Sequence, residues 1–323
     1  MSSVIKEGLE QALKICAAES IHQIGTIQPH GAALVLSANS LRTVLQAIAN
    51  IDQFINLPTE GALDKPLVEL LGDASALQVE QLLQNAQAHK TATGLVSIVY
   101  QQIAVELDAS IYKAGAFWVL ELCQDGGLPK AEKLGDLLMQ AQDSLLSIES
   151  DTETDRYFEQ ITRLVQALTG YDSEMIYRFE SNWDGEVIAQ SRIVTDVRAK
   201  PVPILPTLNP VSQHPLDMTY SALLSLSPIH LEYLHNMEVQ AFMVISLLQN
   251  GRLWGLISCH HLTPKRLSFA MRDAAVFISL MVSTELTAIE SRLERKLLGK
   301  ASQIKIALLK SILTQSELRF CKI

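Results

Sequence analysis

Between residues 31 and 124 the apolar positions fall into short β-branched or alternating stretches, "AALVLSA", "GLVSIVY", "QIAVELDASIYKAG" and "AFWVLELC". Several end at Gly or Asp turns, a pattern that predicts an antiparallel sheet. The intervening "LRTVLQAIANIDQFI" and "LVELLGDASALQVEQLLQNAQ" repeat their apolar residues at helical spacing and predict helices packed beside it. Gly126, Gly127 and Pro129 punctuate the end of this region. A helix is predicted over "AEKLGDLLMQAQDSLLSI". Asp151 or Thr152 is placed to cap the next, "ETDRYFEQITRLVQALTG", and Gly170 to close it.

The strand pattern then returns in "SEMIYRFE", "GEVIAQSRIVTD", "VQAFMVISLLQ" and "GRLWGLISCHH". Among these strands lies an insert with Pro201, Pro203, Pro206 and Pro210 close together, which excludes one helix or one central strand. Long irregular inserts in compact domains usually have a job. Ser268 is placed to cap a last helix. Its apolar positions recur at Leu286, Ile289, Leu293, Leu297, Ile304, Leu308 and Ile312, a single stripe. Such a stripe fits pairing with a second copy of the chain as well as packing on its own domain.

These elements predict an α+β chain with a first domain over residues 1–130, a second over 131–290 and a connecting helix over 291–323. The 323 residues, 48% hydrophobic, suffice for two cores. A net charge of -9 with both signs interspersed argues against a nucleic-acid or anionic-membrane surface. The four cysteines, Cys16, Cys123, Cys259 and Cys321, are far apart and form no CxxC, so neither a disulfide framework nor a metal site is expected. The amino end has no charged-then-apolar signal pattern. Runs such as "AAVFISLMV" are shorter than a membrane span, which predicts a cytoplasmic protein with reduced thiols. There is no glycine-rich nucleotide loop and no histidine in residues 264–323 to accept a phosphoryl group. Catalysis by these residues is therefore not expected, and an output kinase would lie outside them.

On spacing alone, Cys16 in "CAAESIHQIGTIQPHGAALVL" reads as a free surface thiol, and His230 and His260 each read as core histidines. Taken together, however, "IHQIGTIQPHG", "MIYRFESNWDGEVIAQSR", "RAKPVPILPTLNP", "SPIHLEYLHNM" and "GRLWGLISCHH" resemble the photosensory core of the bacterial, biliverdin-using phytochromes, in family order and over nearly the whole chain. The resemblance implies a PAS domain followed by a GAF domain, with the amino-terminal segment knotted through the GAF insert. It implies a biliverdin-type linear tetrapyrrole joined by a thioether to Cys16, because Ile229 stands where plant-type members carry their cysteine. His230 and His260 match the two pocket histidines, Tyr177 and Tyr233 the aromatic residues around ring D, and Arg192 a propionate-binding arginine. Cys259 reads as an inert buried thiol. The apolar stripe of the last helix leads to an expected homodimer, and a downstream signalling domain is expected as a further partner.

The chain also departs from that family. Ser191 and Arg192 run straight on where members carry a long segment containing a "DIP" aspartate. A second propionate arginine is Leu224 here, two serines are Phe242 and Val244, and a glycine is Glu238. Leu224, Phe242 and Val244 would turn an anion-binding wall into an apolar one. Charge-assisted contacts contribute roughly 1.5–3 kcal/mol each, so their loss would weaken bilin binding by orders of magnitude. Two functions follow: a red/far-red photoreceptor module working by bilin photoisomerisation, or a bilin-free PAS–GAF scaffold for dimerisation or partner binding.

Overall fold

The computed structural model describes residues 22–124, 154–179, 191–250 and 252–320, together with Gly135 and Met139. Two antiparallel sheets organise them. Strands β1 (Thr26–Ile27), β2 (Gly31–Leu36), β3 (Val44–Ile48), β4 (Thr91–Tyr100), β5 (Ile103–Ala114) and β6 (Phe117–Gln124) lie in the first. They are joined there by β9 (Val202–Leu205) from the proline-rich insert, in the order β1-β9-β3-β2-β6-β5-β4. The second sheet has the order β7-β11-β10-β8, from β7 (Ser173–Arg178), β8 (Ser191–Val194), β10 (Ala241–Gln249) and β11 (Arg252–His261). The helices are α1 (Thr59–Ala62), α2 (Leu67–Leu71), α3 (Asp73–His89), α4 (Thr154–Thr169), α5 (Pro228–Asn236) and α6 (Phe269–Phe320). The helix expected over "AEKLGDLLMQAQDSLLSI" and the capping residues Asp151 and Thr152 lie outside the described residues.

The alternating and β-branched stretches form strands as expected, except that residues 185–190 of "GEVIAQSRIVTD" lie outside the described residues; two helical readings change. "LRTVLQAIANIDQFI" supplies β3 and a short 3-10 turn at Ile51–Gln53. All five residues of β3 are buried because it pairs with β2 on one side and with β9 on the other. Its one polar residue, Gln46, donates from Nε2 to the Pro206 carbonyl at 2.7 Å and accepts from Asn209 Nδ2 at 2.9 Å, so the buried amide is satisfied by the insert. The second pattern breaks into α2 and α3 at Gly72, whose φ of +83° lies in the left-handed region that glycine enters freely.

The insert is built into the first domain. Its residues Ile204, Leu216, Met218, Leu223 and Leu224 belong to the first hydrophobic core. Although the insert as a whole is no central strand, its four residues Val202–Leu205 are an interior one. Proline is tolerated there because Pro203 contributes its carbonyl, which accepts from Ala49 N at 2.9 Å. Residues 22–28 are bonded on both sides to the insert. Ile204 N donates to the Gly25 carbonyl and Met218 N to that of His22; Ser225 N donates to the Thr26 carbonyl, while Gln28 N donates to that of Leu223. A side chain at Gly31 would collide with Leu223, which explains the glycine at this crossing.

The second core lies on one face of the four-stranded sheet. Ala241, Met243, Ile245 and Leu247 of β10 and Ile257 and Cys259 of β11 meet Ile161 and Val165 of α4 and Ala275, Ile278 and Val282 of α6. Gly170 closes α4 with φ +63°. Ser268 caps α6, its Oγ accepting from Met271 N at 3.2 Å. The first residue of that helix, Phe269, is buried in the first core, and its N–H donates to Asp108 of β5 at 2.5 Å. Residues 269–310 are long and apolar enough to cross a bilayer by length and composition, where the uninterrupted runs alone are too short. In the fold, much of that apolar surface packs on the sheet. Of the stripe, Leu286 is buried and Ile289 packs against the second core, whereas Leu297, Ile304 and Leu308 are 60%, 62% and 58% exposed.

Candidate functional site

Strand alternation sends the opposite face of the second sheet away from the helices. The register places Phe242 opposite both His260 and Val194, Val244 opposite both Ser258 and Arg192, and Leu256 opposite Tyr177. Arg192, Phe242, Val244, Ser258, His260 and Tyr177 therefore share one face. Helix α5 covers part of it. Ser227 caps the helix by accepting from His230 N, and Pro228 occupies its first position, where a missing N–H costs nothing. The helix ends in a Schellman turn: Val239 N donates to the Leu234 carbonyl and Glu238 N to that of His235. Glu238 adopts φ +60° there, the conformation for which glycine is preferred. Leu234 and Val239 pack on Phe242, Val194 and Val197, which fixes the helix on the sheet.

This packing brings both His230 and His260 against one ring. The Phe242 centroid is 5.9 Å from that of His230 and 5.5 Å from that of His260. Tyr233 lies one turn from His230, with centroids 6.1 Å apart. His260 Nε2 is 3.0 Å from Ser258 Oγ, its same-face neighbour two residues earlier. Burial lowers the pKa of both imidazoles, and Arg192 lowers that of His230 further, so both are neutral at pH 7 and each offers one donor and one acceptor. Arg192 is itself partly buried, and no hydrogen bond or ion pair holds its guanidinium among the described residues. A partly buried cation with no anion among the described residues, beside the neutral His230 and on the same sheet face as His260, suits a ligand that carries carboxylates and polar ring atoms.

The other expected residues fall as follows. Tyr177 and Tyr233 are 47% and 60% exposed and stand at the margin of the face. Cys16 lies outside the described residues. Cys259 is fully buried on the opposite, core-facing side, where burial pushes its thiol well above the usual range, consistent with an inert thiol. Leu224 is a correction: it does not form a wall with Phe242 and Val244. It bridges to Ile27 and is buried in the first core, because its strand-like segment runs beside β1. Phe242 and Val244, with Val194 and Leu256, make the face apolar. Ser258 was not anticipated from the sequence, although its spacing of two from His260 on an alternating strand is the signal that places them together.

Comparisons with known proteins identify the two domains. A PAS fold model matches residues 16–123 and a GAF domain model matches residues 153–286. The cyanobacterial phytochrome B of Nostoc sp. is 30% identical over 317 residues, covering 86% of this chain and 41% of that protein. The bacteriophytochrome of Pseudomonas aeruginosa is 28% identical over 325 residues, covering 91% and 43%. The chain thus spans less than half the length of these relatives. Among solved structures, the chromophore-binding domain of an unusual bacteriophytochrome from R. palustris superposes with a TM-score of 0.78 at 26% identity, covering 86% of this chain and 99% of that one. The corresponding domain of Stigmatella aurantiaca phytochrome P1 gives 0.73 at 28%, covering 83% and 98%. With both domain models in order and the two-sheet architecture shared, the chain belongs to the phytochromes, as a PAS–GAF photosensory core of the bacteriophytochrome type.

Proposed function

We propose that this chain is the light-sensing module of a red/far-red photoreceptor, holding a biliverdin-type bilin on the face built by His230, His260 and Arg192. The observation that carries the reading is the partly buried Arg192 guanidinium, which has no hydrogen bond or ion pair among the described residues, beside the neutral His230 imidazole. Arg192 is assigned to a propionate, and the two imidazoles to the polar atoms of the tetrapyrrole rings. Ser258 fixes the orientation of His260. Tyr177 and Tyr233 flank the outer ring. When bound, a bilin supplies visible absorption and an isomerisable C15=C16 double bond. Cys16 is the attachment point through a thioether; residues 22–28, gripped on both sides by the insert, anchor the segment that carries it, in keeping with the knot of the family. Residues 1–130 form the PAS unit and 131–290 the GAF unit, with 291–323 the dimerising and output helix in a cytoplasmic protein. Any kinase activity belongs to other residues.

Mixing the purified chain with biliverdin tests this. The wild type should give a bilin band that survives denaturing electrophoresis. Cys16→Ala should give none, while absorption still reports non-covalent uptake. A covalent band in Cys16→Ala would refute the attachment site. No uptake by the wild type would refute the sensor and leave the bilin-free scaffold.

A further inference from the structure

A second recess lies away from this face, where the turn at residues 29–30 meets the end of β8 and the loop at residues 264–266. It has a volume of about 420 Å³ and is lined by Pro29, His30, Thr195, Asp196, Pro264 and Arg266 among others. That volume lies in the range of small-molecule sites. Its floor is rigidly built. Gln28 Nε2 donates to the carbonyls of Ile193 at 2.6 Å and Leu224 at 3.3 Å, which leaves Oε1 to accept from Thr195 N at 2.9 Å and Thr195 Oγ1 at 3.1 Å. With its proton committed to Gln28, the Thr195 hydroxyl accepts from His30 Nδ1 at 3.0 Å. The remaining ring nitrogen, Nε2, is then a bare acceptor on a neutral imidazole. Arg266, across the recess, makes no hydrogen bond or ion pair among the described residues.

We infer that this recess binds a small aliphatic carboxylate, its anionic end between the Arg266 guanidinium and the His30 imidazole and its chain against Pro29 and Pro264. The site does not depend on the bilin reading. The charged groups around His30 are Arg266 on the loop, Asp196 beyond β8 and Arg272 of α6, which lines a small void behind the imidazole. Asp196, whose Oδ1 accepts from Arg198 N at 2.9 Å, places a negative charge on the wall and disfavours a dianion such as phosphate. Burial and Arg266 hold the imidazole at a pKa of about 4. A bound carboxylate offsets the Arg266 field and requires a proton on Nε2 to receive a hydrogen bond. Binding therefore takes up a proton and tightens as pH falls.

Titration calorimetry of the whole chain with sodium butyrate, in two buffers of different ionisation enthalpy and at constant ionic strength, reads both affinity and proton uptake. The expected result is saturable binding, tighter at pH 5.5 than at pH 7.5, with net proton uptake. Arg266→Gln, at an exposed position, should weaken it about ten- to a hundredfold, the loss of one charge-assisted contact. Nitrogen NMR of His30 should show its pKa rising in butyrate. Unchanged affinity in Arg266→Gln, binding without proton uptake, an effect equalled by chloride, or preference for inorganic phosphate would each overturn the carboxylate assignment.

Discussion

Phe242 stands directly opposite His260 in the β10–β11 register, their ring centroids 5.5 Å apart and their planes 34° from one another. The same ring lies 5.9 Å, centroid to centroid, from His230, so an apolar side chain stands against both imidazoles. Phe242→Ser should open space beside both imidazoles and offer a hydroxyl to a carboxylate. Biliverdin affinity should rise at least about tenfold, as one added hydrogen bond to a charged group implies. The apo protein should lose about 3 kcal/mol through the cavity left under α5. Absorbance titration and urea unfolding separate the two effects.

Arg192 should matter to the ligand and little to the fold. Arg192→Gln strands no partner among the described residues, so unfolding midpoints should barely move, while biliverdin affinity should fall about tenfold or more. The His230 pKa, which Arg192 depresses, should rise in the variant, and NMR titration reads that shift.

Two groups should bend the stability–pH curve in opposite directions. Burial and Asp172 raise the Glu174 pKa to about 7, so the folded state holds its proton after the unfolded chain has released it. Its contribution is full below pH 4.5 and is lost as pH rises through about 7. His30, lowered to about 4, contributes fully above pH 6.5 and loses that contribution as pH falls through about 4. Glu174→Gln should therefore be more stable relative to wild type at pH 8 than at pH 5, by urea midpoints. The reverse order would contradict the assignment.

Glu238 occupies a left-handed C′ position with φ +60°. Glu238→Gly should relieve a backbone cost of about 1 kcal/mol, partly offset by the unfolded-state entropy of glycine. A small rise in melting temperature with unchanged spectra is expected.

The outer stripe of α6 should make the chain dimeric. Leu297, Ile304 and Leu308 are more than half exposed although they continue an apolar seam begun by buried Leu286. Leu297→Glu with Ile304→Glu should shift sedimentation from dimer to monomer and leave the domain cores intact by near-UV circular dichroism. A wild-type monomer would refute the seam as an interface.

The sequence makes the strands legible where a strict face repeat governs them. Strands β4 to β6 and β10 to β11 pair with near neighbours, and their alternation is intrinsic to each segment. Strand β3 is not legible. Its spacing fits a helix equally well, and the decision is made by β9, which arrives from more than 150 residues downstream. Leu224 shows the same limit, since its direction is set by the bridge to Ile27 and not by its own neighbours. His230 and His260 were readable as a pair only as members of a motif. Their common contact with Phe242 depends on strand register and helix docking together, which no local pattern contains.

The seating of Phe269 in the first core has a mechanical consequence. Helix α6 runs 52 residues from that point, about 78 Å at 1.5 Å per residue. With its root pinned by Asp108 and its next turns resting on the second sheet, it is a long lever whose pivot both globules share. A tilt of one degree at the root moves the far tip by more than an ångström, so motion too slight to disturb either core is magnified at the far end of the helix.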